Sequence, residues 1–130
     1  MLRGRGLRNP MPSGPLPEFG LYLGSARLRA RHDVALTWPH DWLDWPDFRL
    51  PRDPAAAIGA LRALHERALS GQRVEVACAG GVGRTGTALA CLAVLAGVPA
   101  AEAVDWVRAH YQRRAVETRG QRRWVAAFPA

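Results

Sequence analysis

The sequence contains no lysine, only two cysteines and no long hydrophobic run. Two cysteines, Cys78 and Cys91, are too few for a disulfide framework, so free thiols are expected. The longest apolar run, residues 88–96, has about half of the ~18–20 residues that a membrane-spanning helix needs. No apolar segment follows the basic N-terminus, as a secretory signal would require. These absences predict a cytoplasmic protein that does not associate with a membrane.

The basic residues are all arginine, 18 of them, and the net charge is +7. The planar guanidinium of arginine binds phosphate through two hydrogen bonds. A basic chain suits phosphorylated or acidic partners as well as nucleic acid. The four histidines show no metal-ligand spacing with one another or with the cysteines, so neither a metal nor a cofactor is predicted.

The length of 130 residues allows one domain with a substantial core. Residues 1–18 combine prolines and glycines with scattered arginines and are predicted to form a flexible arm. Within a domain over residues 19–130, we predict strands at residues 19–24, 33–37 and 74–78, separated by helical segments. Such alternation is typical of an α/β fold, here a small, mostly parallel central sheet flanked by helices on both faces.

Helix boundaries are marked by proline, glycine and capping residues. Asp53 and Pro54 suit the N-cap and first position of a helix that Gly71 ends. Gly97 ends the helix that starts near Arg84, and a further helix follows. The last helix is predicted over residues 121–128.

The most informative stretch is residues 74–86, Val-Glu-Val-Ala-Cys-Ala-Gly-Gly-Val-Gly-Arg-Thr-Gly. It predicts a buried strand that ends at Cys78, a glycine-rich loop, and a helix whose first turn contains Arg84. Backbone N–H groups in such a loop converge, and the helix N-terminus adds a partial positive charge. The stretch therefore predicts an anion site with a thiol at its floor.

Cys78 and Arg84 are suited to nucleophilic attack on a phosphate. A thiol at a helix N-terminus beside a cation ionises readily, so Cys78 is predicted to be a thiolate at neutral pH. Attack on phosphorus gives a cysteinyl-phosphate, which water then hydrolyses. Loop amides and the guanidinium would hold the phosphate oxygens. The predicted phosphate-binding residues are Ala79, Gly80, Gly81, Val82, Gly83 and Arg84.

The first step needs an acid to protonate the leaving oxygen. Asp47 is the candidate, within a loop rich in aromatic residues and proline that Trp45 anchors. Asp44 and Asp41 remain alternatives. Thr85 could donate a hydrogen bond to the sulfur, and Gln121 could position the hydrolytic water.

Residues 78–86 resemble the phosphate-binding signature of the cysteine-dependent protein tyrosine phosphatases, and Trp45-Pro46-Asp47 resembles their general-acid loop. Residues 116–121 resemble, more weakly, their glutamine-bearing loop. Ala77 stands where these enzymes usually have histidine. The resemblance implies a phosphatase-like catalytic domain without metal, with Cys78 as nucleophile, Arg84 as phosphate clamp, Asp47 as general acid and then base, Thr85 as partner of the sulfur and Gln121 as water positioner.

A phosphorylated protein or peptide is the implied substrate, with phosphotyrosine first and dual-specificity action next. Phosphoinositides are less favoured because residues 79–83 add no cation, and an RNA 5′-phosphate stays open because the chain is basic. A non-catalytic phosphate-binding module, a pseudophosphatase, is the alternative that Ala77 motivates. Sulfur transfer is a third function, but it has no use for Asp47. A Gly-x-Gly-x-x-Gly match at residues 81–86 lacks the following strand that a dinucleotide site needs.

Overall fold

The computed structural model describes residues 1–129, which contain four parallel strands and five α-helices. The strands are β1 (Leu2–Gly6), β2 (Phe19–Gly24), β3 (His40–Asp44) and β4 (Val74–Cys78). The helices are α1 (Ala26–His32), α2 (Pro54–Leu69), α3 (Gly83–Leu95), α4 (Ala103–His110) and α5 (Arg119–Ala126). The strands form one sheet in the order β1-β4-β2-β3. The predicted α/β fold with a small parallel sheet is confirmed.

Helices cover both faces of the sheet, as predicted. The larger core joins Leu21 and Val76 of the central strands to helices α2 to α5, and α3 is buried along most of its length. On the opposite face, Tyr22 and Ala77 pack against Leu36 and are covered by α1. Strand β4 is therefore central, and its carboxyl end delivers Cys78 to the start of α3.

The first strand, β1, corrects the prediction of a flexible arm over residues 1–18. It pairs in parallel with β4, with Gly6 opposite Cys78. Glycine is needed there because a Cβ at Gly6 would lie 2.6 Å from the backbone of Gly80. The sheet thus begins before the predicted domain boundary at residue 18.

A buried carboxylate explains why an arginine-rich segment can be a strand. Glu75 of β4 is fully buried, and its Oε1 accepts hydrogen bonds from Arg3 Nε at 3.0 Å and Arg5 Nε at 2.8 Å. Tyr22 donates to Oε2 at 2.6 Å, and Trp38 Nε1 donates to the Tyr22 hydroxyl. Burial opposes ionisation of Glu75, but the hydrogen bonds from Arg5, Tyr22 and Arg3 hold its pKa below the usual range. Charges that suggest a solvated arm are neutralised by a residue far along the chain.

The strand predicted at residues 33–37 is also wrong, because the strand forms at His40–Asp44 instead. Asp33–Ala35 is a short 3-10 helix, and Asp33 Oδ1 accepts a hydrogen bond from Trp42 Nε1 at 2.8 Å. The same oxygen lies 2.7 Å from His40 Nε2. Asp33 thus uses its side chain to fasten the turn onto β3, which pairs with β2.

The capped helix starting at Pro54 is confirmed, since the Asp53 side chain accepts from the Ala56 amide at 3.1 Å. The last helix begins at Arg119, two residues before its predicted start. The longest helix, α2, has 16 residues. Within residues 1–129, none of the helices has the length and apolar character needed to cross a membrane.

Candidate active site

The loop from residue 78 to residue 84, called the phosphate loop below, joins β4 to α3. Cys78 is 2% exposed, and its Sγ accepts a hydrogen bond from the Gly81 amide at 3.2 Å. Gly81 has φ of 76°, and a Cβ there would lie 2.5 Å from the backbone nitrogen of Gly6. Glycine at this position therefore lets the loop turn an amide toward the sulfur while β1 passes close behind it.

Arg84 lies in the first turn of α3 and is 4% exposed. Its Nη1 donates a hydrogen bond to the Trp45 carbonyl at 3.0 Å. Its Nε lies 3.5 Å from Asp47 Oδ1 but has no hydrogen-bond partner within residues 1–129. A buried cation with an unmet donor, placed against the positive end of a helix dipole, is stabilised when an anion binds.

A second loop, residues 45–52, called the acid loop below, lies against the phosphate loop. Its anchor is Trp45, which is fully buried, donates from Nε1 to the Arg49 carbonyl at 2.7 Å, and packs edge-on against Trp124. Phe48 has φ of 61°, which turns the chain sharply after Asp47. The loop is therefore fixed at its tryptophan and exposes the residues at its tip.

Asp47 is the acidic residue that this loop brings to the phosphate site. Its side chain is half exposed and lines the same cavity as Arg84 and Ala79. The alternative acid Asp44 pairs with Arg52 at 3.1 Å on the surface. Neither Asp44 nor Asp41 lines that cavity. The structure thus brings Asp47, and not its two neighbours, together with Arg84.

Thr85 is fully buried in the first turn of α3. Thr85 Oγ1 accepts from the Cys78 amide at 2.8 Å and donates to the Arg5 carbonyl at 3.4 Å. The predicted role of Thr85 as hydrogen-bond partner of the sulfur stays a prediction. Thr85 holds the backbone of Cys78 in place and ties together β1, β4 and α3.

Gln121 is fully buried and forms a capping box with Thr118 at the start of α5. Its Oε1 accepts from the Glu117 amide at 2.9 Å, and its Nε2 donates to the Arg49 carbonyl at 3.3 Å. Gln121 is not among the residues that line the cavity with Arg84. The structure shows it joining α5 to the acid loop, and the water-positioning role stays a prediction.

Tyr111 supports the phosphate loop from the far side, a role that sequence analysis missed. Its hydroxyl donates to the Gly81 carbonyl at 2.6 Å. Burial, followed by the charge of Cys78, raises the pKa of Tyr111 to about 12. The one signal in the sequence is a hydroxyl at the end of an otherwise apolar helical stripe.

Glu117, which sequence analysis did not single out, is an exposed residue beside the phosphate loop. A Cβ added to Gly83 would collide with the Glu117 carboxylate. Val116 adopts φ of 66°, and Arg108 fixes this turn by donating to the Val116 carbonyl at 2.8 Å. A strained and braced turn therefore holds a carboxylate against the first residue of α3.

The cavity in front of the phosphate loop has a volume of about 290 Å³. Its lining comes from four parts of the chain: Arg8, then Ser25, Arg27, Leu28 and Arg31, then Asp47, then Ala79 and Arg84. Sequence analysis did not anticipate the arginines outside the phosphate loop, because Arg8 falls in the predicted arm. Across the described residues, no group of three or more His, Cys, Asp or Glu side chains is arranged to hold a metal.

Residues 46–127 match a family described as Swiss Army Knife protein, DSP-PTPase phosphatase domain. Tk-PTP in its active form is similar in structure with a TM-score of 0.68 and 26% identity, over 81% of this chain and 73% of that chain. The kinase-associated phosphatase with serine replacing its catalytic-site cysteine has a TM-score of 0.73 and 16% identity, over 86% of this chain and 68% of that chain. The core catalytic domain of the PP-IP phosphatase SIW14 from S. cerevisiae has a TM-score of 0.62 and 14% identity, over 87% of this chain and 68% of that chain. No protein of curated function matches the sequence significantly.

Proposed function

Because the chain belongs to the DSP-PTPase family of cysteine-dependent phosphatases, we propose that it hydrolyses phosphomonoesters through a cysteinyl-phosphate, with phosphotyrosine in proteins as the first substrate class and dual-specificity action next. The observation that carries the proposal is the close approach of Asp47 to Arg84 beside the loop that begins at Cys78. Cys78 Sγ receives a loop amide, Arg84 is buried with an unmet Nε, and Asp47 lies beside that nitrogen. Nucleophile, anion clamp and acid are the parts that this reaction needs.

In the first step the Cys78 thiolate attacks phosphorus, so an S–P bond forms while the P–O bond to the leaving group breaks. Arg84 and the amides of the phosphate loop hold the three remaining oxygens as charge builds on them. Asp47 donates its proton to the departing oxygen, which leaves as a neutral alcohol or phenol. The products of this step are the cysteinyl-phosphate and an Asp47 carboxylate.

In the second step water attacks the same phosphorus from the side that the leaving group has vacated. The Asp47 carboxylate takes a proton from that water as the O–P bond forms and the S–P bond breaks. Inorganic phosphate leaves, and both the thiolate and the protonated Asp47 are restored. The two steps therefore need the same residue first as acid and then as base.

The hydrogen bonds around Cys78 favour an active enzyme even though Ala77 replaces the usual histidine. Thr85 holds the Cys78 amide, the Gly81 amide reaches the sulfur, and Tyr111 holds the Gly81 carbonyl. Ala77 itself packs into the core on the α1 face. These contacts order the loop without a side chain from position 77. A non-catalytic phosphate-binding module is the second candidate, and Ala77 is the observation that favours it.

Steady-state hydrolysis of an aryl phosphate tests the proposal with a matched pair of cysteine variants. We expect Cys78→Ser to abolish hydrolysis while still binding inorganic phosphate in calorimetry, because Arg84 and the loop amides remain. Cys91→Ala is the control, since Cys91 is buried within α3 and apart from the phosphate loop. Hydrolysis that survives Cys78→Ser contradicts the mechanism. A wild type that binds phosphopeptide without turnover supports the binding module.

A further inference from the structure

We propose that the substrate carries a second phosphate group close to the one that reacts, and that Arg8, Arg27 and Arg31 bind it. These three residues are called the arginine rim below. The inference rests on the proposed function, because it assigns the reacting phosphate to Arg84 and the phosphate loop. It adds a requirement on the substrate that the reaction itself does not impose.

The arginine rim lines the same cavity as Arg84 and Asp47. Arg8 is fixed there by the backbone, since its amide donates to the Ala79 carbonyl at 3.0 Å. The preceding amide, of Leu7, donates to the Cys78 carbonyl at 2.8 Å. The chain leaving β1 thus follows the phosphate loop and presents Arg8 at the cavity.

The other two rim residues come from α1. Arg27 and Arg31 are four positions apart, so they lie on one face of the helix, one turn from each other. The first turn of α1 contains no acidic residue. The segment that follows β1 and helix α1 therefore both bring arginines to the mouth of one cavity.

The charge at this mouth is not balanced by the protein. Within residues 1–129, none of the rim arginines has a carboxylate within ion-pair distance, whereas Arg52 and Arg73 do. Asp47 is the only acidic residue lining the cavity, and it lies beside Arg84. The positive field extends behind the rim, where burial, followed by the charges of Arg31, Arg5 and Arg8, lowers the pKa of His32.

Arg84 gives the cavity a buried cation at its base, whereas the three rim arginines are exposed. It is 4% exposed and lines the same cavity, and its Nε is buried without a hydrogen-bond partner among residues 1–129. With the reacting phosphate on Arg84, the rest of the substrate meets the rim, Ser25 and Leu28. Among residues 1–129, Leu28 is the only large apolar side chain that lines the cavity, so most of the lining is polar or charged. A second phosphate finds guanidinium groups with free donors.

The rim also lies outside residues 46–127, the part of the chain that matches the phosphatase family. The catalytic groups Asp47, Cys78 and Arg84 all lie inside that match. The proposed specificity therefore comes from the N-terminal part of this chain, and it can be removed without altering the catalytic groups.

The test compares substrates that differ by one phosphate. Adenosine 3′,5′-bisphosphate is compared with the two adenosine monophosphates, and a doubly phosphorylated peptide is compared with its singly phosphorylated forms. We expect kcat/KM to favour the doubly phosphorylated member of at least one set by about tenfold or more, the effect of one or two charge-assisted hydrogen bonds. The set that shows the preference identifies the carrier as a small molecule or a protein.

The preference should fall below about twofold when the rim is replaced together, in the variant Arg8→Gln, Arg27→Gln, Arg31→Gln. Arg29→Gln is the matched control, because Arg29 lies on the same helix but lines a different cavity, beside Trp42. It removes one charge, as the single rim variant Arg27→Gln does, and should keep the preference that Arg27→Gln weakens. Equal kcat/KM within both sets, or a preference that survives loss of the rim, overturns the inference while leaving the phosphatase reaction intact.

A binding measurement separates this inference from the proposed reaction. Calorimetry on Cys78→Ser with intact and with replaced rim compares the affinities of the bisphosphate and monophosphates without turnover. Tighter, rim-dependent binding of the doubly phosphorylated molecule supports the inference even if the wild type hydrolyses nothing. Equal affinities contradict it whatever the activity of the wild type.

Discussion

Two clusters of arginine lie near β1 and β4, and they differ in whether their charge is paired. Around Glu75, Arg3 and Arg5 both donate to one buried carboxylate. At the other end of β4, Arg84 has an unmet Nε and shares a cavity with Arg8, Arg27 and Arg31, which have no carboxylate partner within residues 1–129. The first cluster holds an edge strand in the sheet, and the second leaves donors free for a ligand.

Arginine thus has two roles in this protein. Paired with a buried carboxylate it stabilises the fold, and left unpaired it can bind an anion. Removing a partner from a satisfied buried pair leaves a charge uncompensated and costs stability. Removing an unpaired donor that binds the substrate's phosphate lowers transition-state stabilisation instead. Substitutions in the two clusters should therefore separate into those that unfold the protein and those that inactivate it.

The largest expected effect is the loss of activity in Arg84→Lys. The charge stays, but the fork that holds two phosphate oxygens is lost, so kcat/KM should fall by about 10³- to 10⁴-fold. The free energy of unfolding should change by no more than about 1 kcal/mol, because one hydrogen bond, to Trp45, is lost. Kinetics and urea unfolding of the same preparation check both values. A loss of stability that matches the loss of activity would erase the contrast between the clusters.

Asp47→Asn comes next, with a fall in kcat of about two to four decades for an alkyl or phenyl phosphate. The decrease in kcat should be smaller for a substrate whose leaving group departs without a proton. Such a substrate does not need the acid in the first step. Asp44→Asn is the control, because Asp44 pairs with Arg52 on the surface. If Asp44→Asn were inactive and Asp47→Asn normal, the assignment of the acid would be wrong.

Glu75→Gln tests the paired cluster and should lower the free energy of unfolding by about 3 kcal/mol, the usual cost of breaking a buried ion pair. Arg3 and Arg5 then lose their shared partner, while Arg84 keeps its surroundings. Activity per folded molecule should stay within about twofold of wild type. Glu66→Gln, on the exposed side of α2, is the matched control. Chemical unfolding and active-site titration give the two quantities.

The same variant changes the response of stability to acid. The pKa of Glu75 is lower in the folded protein than its ordinary value of 4.5, so its carboxylate stabilises the fold above that pH. This contribution is lost as the pH falls through the lowered pKa. Wild type should therefore lose stability over this acidic window more steeply than Glu75→Gln, and parallel pH profiles would show that Glu75 is not the group responsible.

The smallest expected effect is a difference in stability between alanine substitutions at two adjacent glycines of the phosphate loop. Gly81→Ala places a Cβ within 3 Å of the β1 backbone at a positive φ, and should cost about 1–3 kcal/mol together with activity. A Cβ at Gly80 meets nothing within 4 Å, so Gly80→Ala should stay within about 0.5 kcal/mol of wild type. Equal losses of stability from the two substitutions would show that the close contact between β1 and the phosphate loop does not restrict residue 81.

The features that could be predicted from the sequence are those encoded by neighbouring residues. The strand, loop and helix around Cys78 follow from alternating valines and clustered glycines within one short stretch. The start of α2 follows from Asp53 and Pro54, and the strand Phe19–Gly24 has the predicted bounds. Local signals suffice here because backbone preference and burial agree.

The features that were missed depend on distant residues. Strand β1 forms because Glu75 neutralises Arg3 and Arg5, a pairing that no local property of residues 1–18 reveals. The hydrogen bond from Thr85 to the Arg5 carbonyl was missed for the same reason, since that strand was not expected beside it. Arg8 was missed as a rim residue for the same reason, because it lies two residues after that strand and reaches the cavity only when the strand forms.

The central claim, a covalent phosphate on Cys78, is tested most directly by rapid-quench mass spectrometry. Asp47→Ala is mixed with an aryl phosphate whose leaving group departs without protonation, so the first step proceeds while the second lacks its base. We predict that one phosphoryl group accumulates on the peptide containing Cys78 before phosphate appears in solution. Release of phosphate with no adduct on Cys78, or an adduct on a different residue, would contradict the mechanism.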